Sequence, residues 1–346
     1  HPNKQDIVLD DIFVFPELIL NNQRVINSTE LLKIKEDKNK LSIAGIEDSG
    51  KTTLIKILIR HYLDSGYYPV YIEAQHLTIT NPRELLEIID KTYEEIYNSD
   101  SLVAIQSETN KKKVVFIDNF DKISNDFEIV GNTLKTLSDL FDNIIFSEET
   151  PFNMIEDTQL KILYPELSVE INHYEIMEFS NKLQLELIQK WHKLTNTNDS
   201  RTENISSKTE KTKRIFDSVI GNNLAPSLPV FLLTILQSNS EDETDLVSGS
   251  SYGHYYEHLI LKSIINSIGN QNLEYYLDLL SETSYYMFKE HKQSVSYEEL
   301  KHIYEGQSQN KGNIQSLELI KELLFKANTL IEETLYSFKY KYIYHY

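Results

Sequence analysis

The run Gly45-Ile46-Glu47-Asp48-Ser49-Gly50-Lys51-Thr52-Thr53 holds a glycine, four residues, then Gly-Lys-Thr. Glycines at both ends of such a loop let backbone N–H groups converge on one anion, and a helix that starts there adds its partial positive charge. The lysine ammonium reaches the β- and γ-phosphates of a nucleotide, and the first threonine hydroxyl reaches Mg²⁺. All nine residues are therefore candidate nucleotide contacts. That chemistry needs a second part, an acid at the end of another buried strand to hold the metal. Val-Val-Phe-Ile-Asp-Asn-Phe-Asp, residues 114–121, offers two. Asp118 ends the apolar run and is expected to hold Mg²⁺ through water, alongside Thr52. Asp121 is placed to orient or deprotonate an attacking water, and its plainer alternative is to cap a turn or helix. Lys51 and Asp121 are the candidate catalytic residues.

A second motif competes. His254-Tyr-Tyr-Glu257-His258 fits His-x-x-Glu-His, an arrangement of zinc peptidases. On a helix the two histidines share a face and could ligate zinc, with Glu257 as base and Glu332 or Glu333 as a distant third ligand. Against this, Tyr252, Tyr255, Tyr256 and Leu259 read as helix packing, and ten histidines make a chance match easy.

The elements that would position the loop alternate. Residues 1–40 read as a loop or short strand followed by a short helix with Ser28 as N-cap. Strand 41–45, the loop and a helix to about Ser65 follow, with Gly66 as its C-terminal stop. Strand 69–74 precedes an amphipathic helix over 81–97 that Asn81-Pro82 begins. Strand 112–121 is apolar on both faces, as a central parallel strand should be. A helix near 126–141 and strands at 143–147 and 167–171 complete a doubly wound, parallel α/β sheet. Helix 179–194 then changes the character of the chain. Residues 195–211 and 238–251 read as polar, mobile stretches around a short helix ending at Gly221 and a buried helix over 227–237, with Pro229 in its first turn. From residue 252 the pattern is helical until a hairpin near 330–344.

Bulk numbers narrow the classes. At 346 residues and 40% hydrophobic, the chain can bury a large core. It has no cysteine, which excludes disulfides and thiolate metal sites and fits a cytoplasmic setting. A net charge of −19 disfavours nucleic-acid partners. No apolar run is long enough for a membrane span. The polar start without Met and the apolar last residues suggest a fragment of a longer protein.

The loop together with FIDNFD resembles the NACHT and AP-ATPase branch of the STAND signal-transduction NTPases. The resemblance implies a domain plan of a P-loop NTPase domain (1–172), a helical lid (173–240) and a winged-helix-like domain (241–346). NIIFSEE matches the family's sensor strand, with Ser147 where Arg or Thr is usual. No arginine nearby can act on the γ-phosphate, so the resemblance implies slow hydrolysis. SLPVFLLTIL resembles the family's GLPLAL element, which makes Pro229 a nucleotide contact. The family's N-terminal signature is missing, and DDIFVFPEL occupies its place. There Ile12, Phe13 and Val14 are candidates for an adenine pocket, with core packing as the equal alternative. Guanine is disfavoured, because NKLQ at 181–184 lacks the acid of a guanine-reading element. The implied function is an ATP/ADP and Mg²⁺ switch that controls self-association, with an effector before residue 1 and a sensor after residue 346. Bacterial members of the family often act in defence against phage. A scaffold that binds nucleotide without hydrolysing it is the alternative.

Overall fold

The structure, a computed structural model, describes residues 8–33, 39–74, 77, 79–97, 112–124, 126–149, 171–195, 202–220, 226–241, 260, 273–308, 321, 325–329 and 334–338. The chain forms two compact units. One comprises residues 13–183 with 228–230, and the other 1–12, 184–227 and 231–346.

The first unit is built on a seven-stranded sheet. Its parallel part contains β3 (Asn39–Ala44), β4 (Tyr68–Glu73), β5 (Lys113–Asp118), β6 (Asn143–Glu148) and β7 (Ile171–Ile176). A hairpin of β1 (Glu17–Leu20) and β2 (Arg24–Asn27) adds antiparallel strands along β7, giving the order β2-β1-β7-β3-β6-β5-β4. The chain reverses through Asn21 and Asn22, at φ 48° and 57°. Asparagine tolerates this left-handed geometry, which matches the twist of a tight hairpin.

Both faces of the sheet are covered, and β3, β5 and β6 are buried along almost their whole length. Counted after the four-residue α1 (Leu9–Ile12) of the other unit, the first helix here is α2 (Lys51–Asp64). Its Leu54, Ile55, Leu58 and Tyr62 pack with Leu41, Ile43, Val114, Phe116 and Ile145. Each such buried side chain contributes about 1.5–3 kcal/mol of hydrophobic stabilisation. On the other face lie α3 (Pro82–Ile96) and α4 (Phe127–Leu140), which bury Leu85, Ile89, Val130 and Leu134 against Val115, Ile117, Ile144 and Phe146. α3 starts as its sequence dictates. Asn81 accepts from the Arg83 N–H, Pro82 needs no donor, and Glu84 reaches back to the Thr80 N–H at 2.8 Å.

The second unit takes in most of α5 (Asn181–Thr195), then α6 (Thr202–Ile220) and all but the start of α7 (Pro229–Glu241). It continues with α8 (Leu273–Lys289), β8 (Val295–Ser296), α9 (Tyr297–Ser308), β9 (Phe325–Thr329) and β10 (Thr334–Phe338). The three strands pair antiparallel in the order β8-β10-β9.

Several expectations need correcting. The short helix after β2 is a 3-10 turn over Ser28–Leu32, and its cap is Asn27, not Ser28. The last parallel strand is Ile171–Ile176, later than the expected 167–171, of which 167–170 lie outside the described residues. Residues 202–211 are helix, not a mobile stretch. Their inward stripe uses Thr209 and Thr212 before Phe216, so methyls of polar residues do the packing and hydropathy misses it. Helix α7 runs on through Glu241. The final hairpin lies over 325–338, ahead of the expected 330–344.

Candidate functional site

The loop between β3 and α2 has the geometry its glycines demand. Gly50 precedes the helix at φ 98°, a region that a Cβ disfavours. A Cβ on Gly45 would lie 2.6 Å from Ser49 Oγ, so adding one would force the Ser49 side chain to move. Asp48 is also left-handed, at φ 63°. Ile46, Glu47 and Asp48 are exposed, Ser49 is buried, and Thr53 is half-buried in the first turn of α2. The Gly45 N–H donates to the Glu148 carbonyl at 3.2 Å, which ties the loop to β6.

Lys51 is buried, and its ammonium folds back to donate to the carbonyls of Gly45 (2.7 Å) and Ile46 (2.9 Å). Burial pushes its pKa down. The carboxylates of Glu149, Asp121, Asp118 and Glu47 act against that shift, in descending order. One ammonium among several acids makes a poor phosphate site until a cation offsets the negative charge.

Asp118 ends β5 and is 1% exposed. Its Oδ2 accepts from Thr52 Oγ1 at 2.6 Å and from the Tyr71 hydroxyl at 3.1 Å. Its Oδ1 accepts from Ser147 Oγ, and that oxygen in turn accepts from the Asn119 N–H at 2.9 Å. Tyr71 lies on β4 opposite Phe116, two positions before Asp118 on the same face. Burial and then the neighbouring Asp118 charge push the Tyr71 hydroxyl pKa well above its ordinary value, so it stays a donor. Asp121 sits in a 3-10 turn over Phe120–Lys122, which left-handed Asn119 introduces. Lys122 lies 3.4 Å from Asp121 Oδ2 and 2.9 Å from Glu149 Oε2.

The structure therefore brings Lys51, Thr52, Asp118 and Asp121 to one end of the parallel sheet. Pro229 is there too. Its Cγ lies 3.9 Å from where a Cβ on Gly50 would stand. Phe13 is half-buried, packs edge-on to Phe15 at 5.0 Å and joins the core on the α2 face. Tyr71, Lys122 and Glu149 escape sequence reasoning. Tyr71 becomes relevant only once the β4–β5 register is known. His254, Glu257, His258, Glu332 and Glu333 of the zinc motif lie outside the described residues.

The residues present fit a nucleotide with Mg²⁺. Thr52 and Asp118 are hard oxygen donors 2.6 Å apart. Mg²⁺ in such sites takes one or two protein oxygens, with phosphate and water completing its shell. Accordingly, no group of three or more His, Asp or Glu that could hold a metal unaided occurs among the described residues. Two buried polar atoms at the site, Ser49 Oγ and Asp121 Oδ1, lack a hydrogen-bond partner among the described residues. Buried polar atoms are seldom left so.

No protein-family model matches the chain, and no curated protein does. Solved structures share its fold only loosely. The Aeropyrum pernix ORC2 protein, in ADPNP-ADP complexes, aligns at TM-score 0.45 and 13% identity over 87% of this chain and 84% of that one. AMPPCP-bound DnaA from Aquifex aeolicus aligns at 0.35 and 18%, over 73% and 70%. Domain III of the Thermotoga maritima replication initiation protein DnaA aligns at 0.34 and 14%, over 63% and 85%. Likeness at this level says nothing about function. Among the described residues, no helix is long and apolar enough to cross a membrane.

Proposed function

We propose that the chain is the nucleotide-operated core of a STAND-type signalling protein, binding ATP or ADP with Mg²⁺ and hydrolysing ATP slowly. The observation that carries this reading is the joining of the loop to the acidic strand, with Thr52 Oγ1 2.6 Å from Asp118 Oδ2. The loop N–H groups and Lys51 bind the phosphates, and Lys51 first gives up its bonds to the loop carbonyls. Thr52 and Asp118 hold Mg²⁺, which supplies charge neutralisation at the transferring phosphate. Asp121 orients the attacking water and accepts its proton.

One feature favours a switch over a passive scaffold. Pro229 borders the loop and belongs to the nucleotide-binding unit, whereas the rest of its helix, from Phe231, belongs to the other. A ligand touching Pro229 thus has a covalent route to the second unit, and it shifts a conformational equilibrium by its differential affinity for the two states. The order β8-β10-β9, with α9 between β8 and β9, supports the winged-helix-like reading of that unit. On this account ADP holds a compact monomer and ATP favours self-association, and that change would control the oligomerisation of a flanking effector. Antiphage defence is the setting that the family resemblance favours. Sedimentation and small-angle scattering with ADP and with a slowly hydrolysed ATP analogue test the switch. Different mass or size in the two states supports it, and identical values leave the scaffold.

A further inference from the structure

We infer that Tyr71 is a positioning residue that aims the Asp118 carboxylate at the metal and so sets how much Mg²⁺ the site needs. The inference rests on the nucleotide reading above. Asp118 has two oxygens and three hydroxyl donors, Thr52 and Tyr71 on Oδ2 and Ser147 on Oδ1. Thr52 comes from α2, the helix that follows the phosphate loop, and Ser147 from β6. Tyr71 comes from β4, the outermost strand on that side, and its ring packs with the core on the α2 face. Packing fixes the ring, and the ring fixes the hydroxyl.

A metal ligated by Thr52 changes what the Thr52 hydroxyl can do for Asp118. Tyr71 is not a ligand of that kind, so its bond to Oδ2 persists and keeps the carboxylate from rotating. Such aim matters because Asp118 is buried and has no ammonium or guanidinium within ion-pair distance among the described residues. Its hydrogen bonds come from hydroxyls, and the Lys51 ammonium, which donates to the loop carbonyls, acts on it only at a distance.

The plainer role for Tyr71 is to satisfy a buried carboxylate, which affects stability alone. Tyr97 supplies the control, since its hydroxyl donates to the Pro69 carbonyl on the same strand at 2.9 Å. The experiment titrates Mg²⁺ at fixed ADP for the parent, Tyr71→Phe and Tyr97→Phe, and measures ADP affinity in excess chelator. Thermal melts of all three accompany it. In Tyr71→Phe the Mg²⁺ midpoint rises about tenfold, the scale of one lost hydrogen bond to a charged group, while chelator affinity is unchanged. Tyr97→Phe keeps the parent midpoint. A parent-like midpoint in Tyr71→Phe, or an equal shift in both variants, overturns the inference. A parent that binds ADP with no response to Mg²⁺ overturns it together with the metal reading, and the parent data alone reveal that case.

Discussion

Two carboxylates, one in each unit, collect three donors apiece, and the difference between them separates a site from a scaffold. Asp118 gathers the hydroxyls of Thr52, Tyr71 and Ser147. Glu299 gathers the Tyr286 hydroxyl (2.7 Å), the Ser296 N–H (2.9 Å) and the Lys292 ammonium. Its own N–H donates back to Ser296 Oγ at 3.2 Å, so the pair forms a capping box at the start of α9. Glu299 has its cation already. Asp118, almost fully buried, accepts its hydrogen bonds from neutral hydroxyls, with the Lys51 charge acting only at a distance. Burying a carboxylate in this way is costly, and a bound cation would offset that cost.

The hydrolytic step puts the largest effect on the Asp118 side. Asp121→Asn keeps ATP binding and lowers the single-turnover hydrolysis rate about 10²-fold or more, the scale of a lost general base. A parent-like rate would return Asp121 to the capping role.

Exchanging the two carboxylates sharpens the contrast. Asp118→Ala removes the Mg²⁺ dependence of nucleotide binding, read by titration with and without chelator, and Glu299→Gln does not. Glu299→Gln instead lowers stability by about 1 kcal/mol near neutral pH, a value discounted for partial exposure. Desolvation would raise the pKa of Glu299, but the Lys292 ammonium, the Ser296 N–H and the Tyr286 hydroxyl outweigh it, pulling the pKa from 4.5 to about 2. A depressed carboxylate pKa contributes stability above its unfolded value and loses it as pH falls through the folded one. The gap between parent and variant should therefore be full above pH 4.5 and close as pH falls toward about 2, in denaturant melts across that range. A constant gap would mean that the capping hydrogen bonds alone, not the charge, stabilise α9.

The smallest effect belongs to Pro229→Ala. ADP affinity falls a few-fold, on the order of 0.5–1 kcal/mol for lost close packing and a freer first turn of α7, by calorimetry. Unchanged affinity would make Pro229 only the first residue of a core helix.

The chemistry of this site was more legible in the sequence than its support. The glycine spacing around Lys51 and the apolar run ending at Asp118 are local signals, because loop closure and a buried strand end each constrain adjacent residues. Tyr71 carries no local signal, since its bond to Asp118 depends on register between strands 45 residues apart in the pairing Tyr71↔Phe116, plus two along β5. The β1–β2 hairpin was readable from Asn21-Asn22 between apolar runs, a turn signal that the reading of residues 1–40 overlooked. Helix α6 hid for another reason. Thr209 and Thr212 are buried, and the Thr212 hydroxyl meets the His192 ring at 3.0 Å, so a polar-looking stretch packs as a helix. Glu299 was open to reading in principle, because Ser296-Tyr-Glu-Glu299 has capping-box spacing.

Calorimetric titration of Mg·ATP and Mg·GTP into the parent chain and Lys51→Ala tests the central claim most directly. The account predicts one saturable adenine-nucleotide site in the parent and weaker guanine binding. It predicts a loss of about 2–4 kcal/mol of ATP binding in Lys51→Ala, as for a charged hydrogen bond removed from a closed site. A parent that binds neither nucleotide, or a Lys51→Ala chain that binds ATP as the parent does, would contradict it.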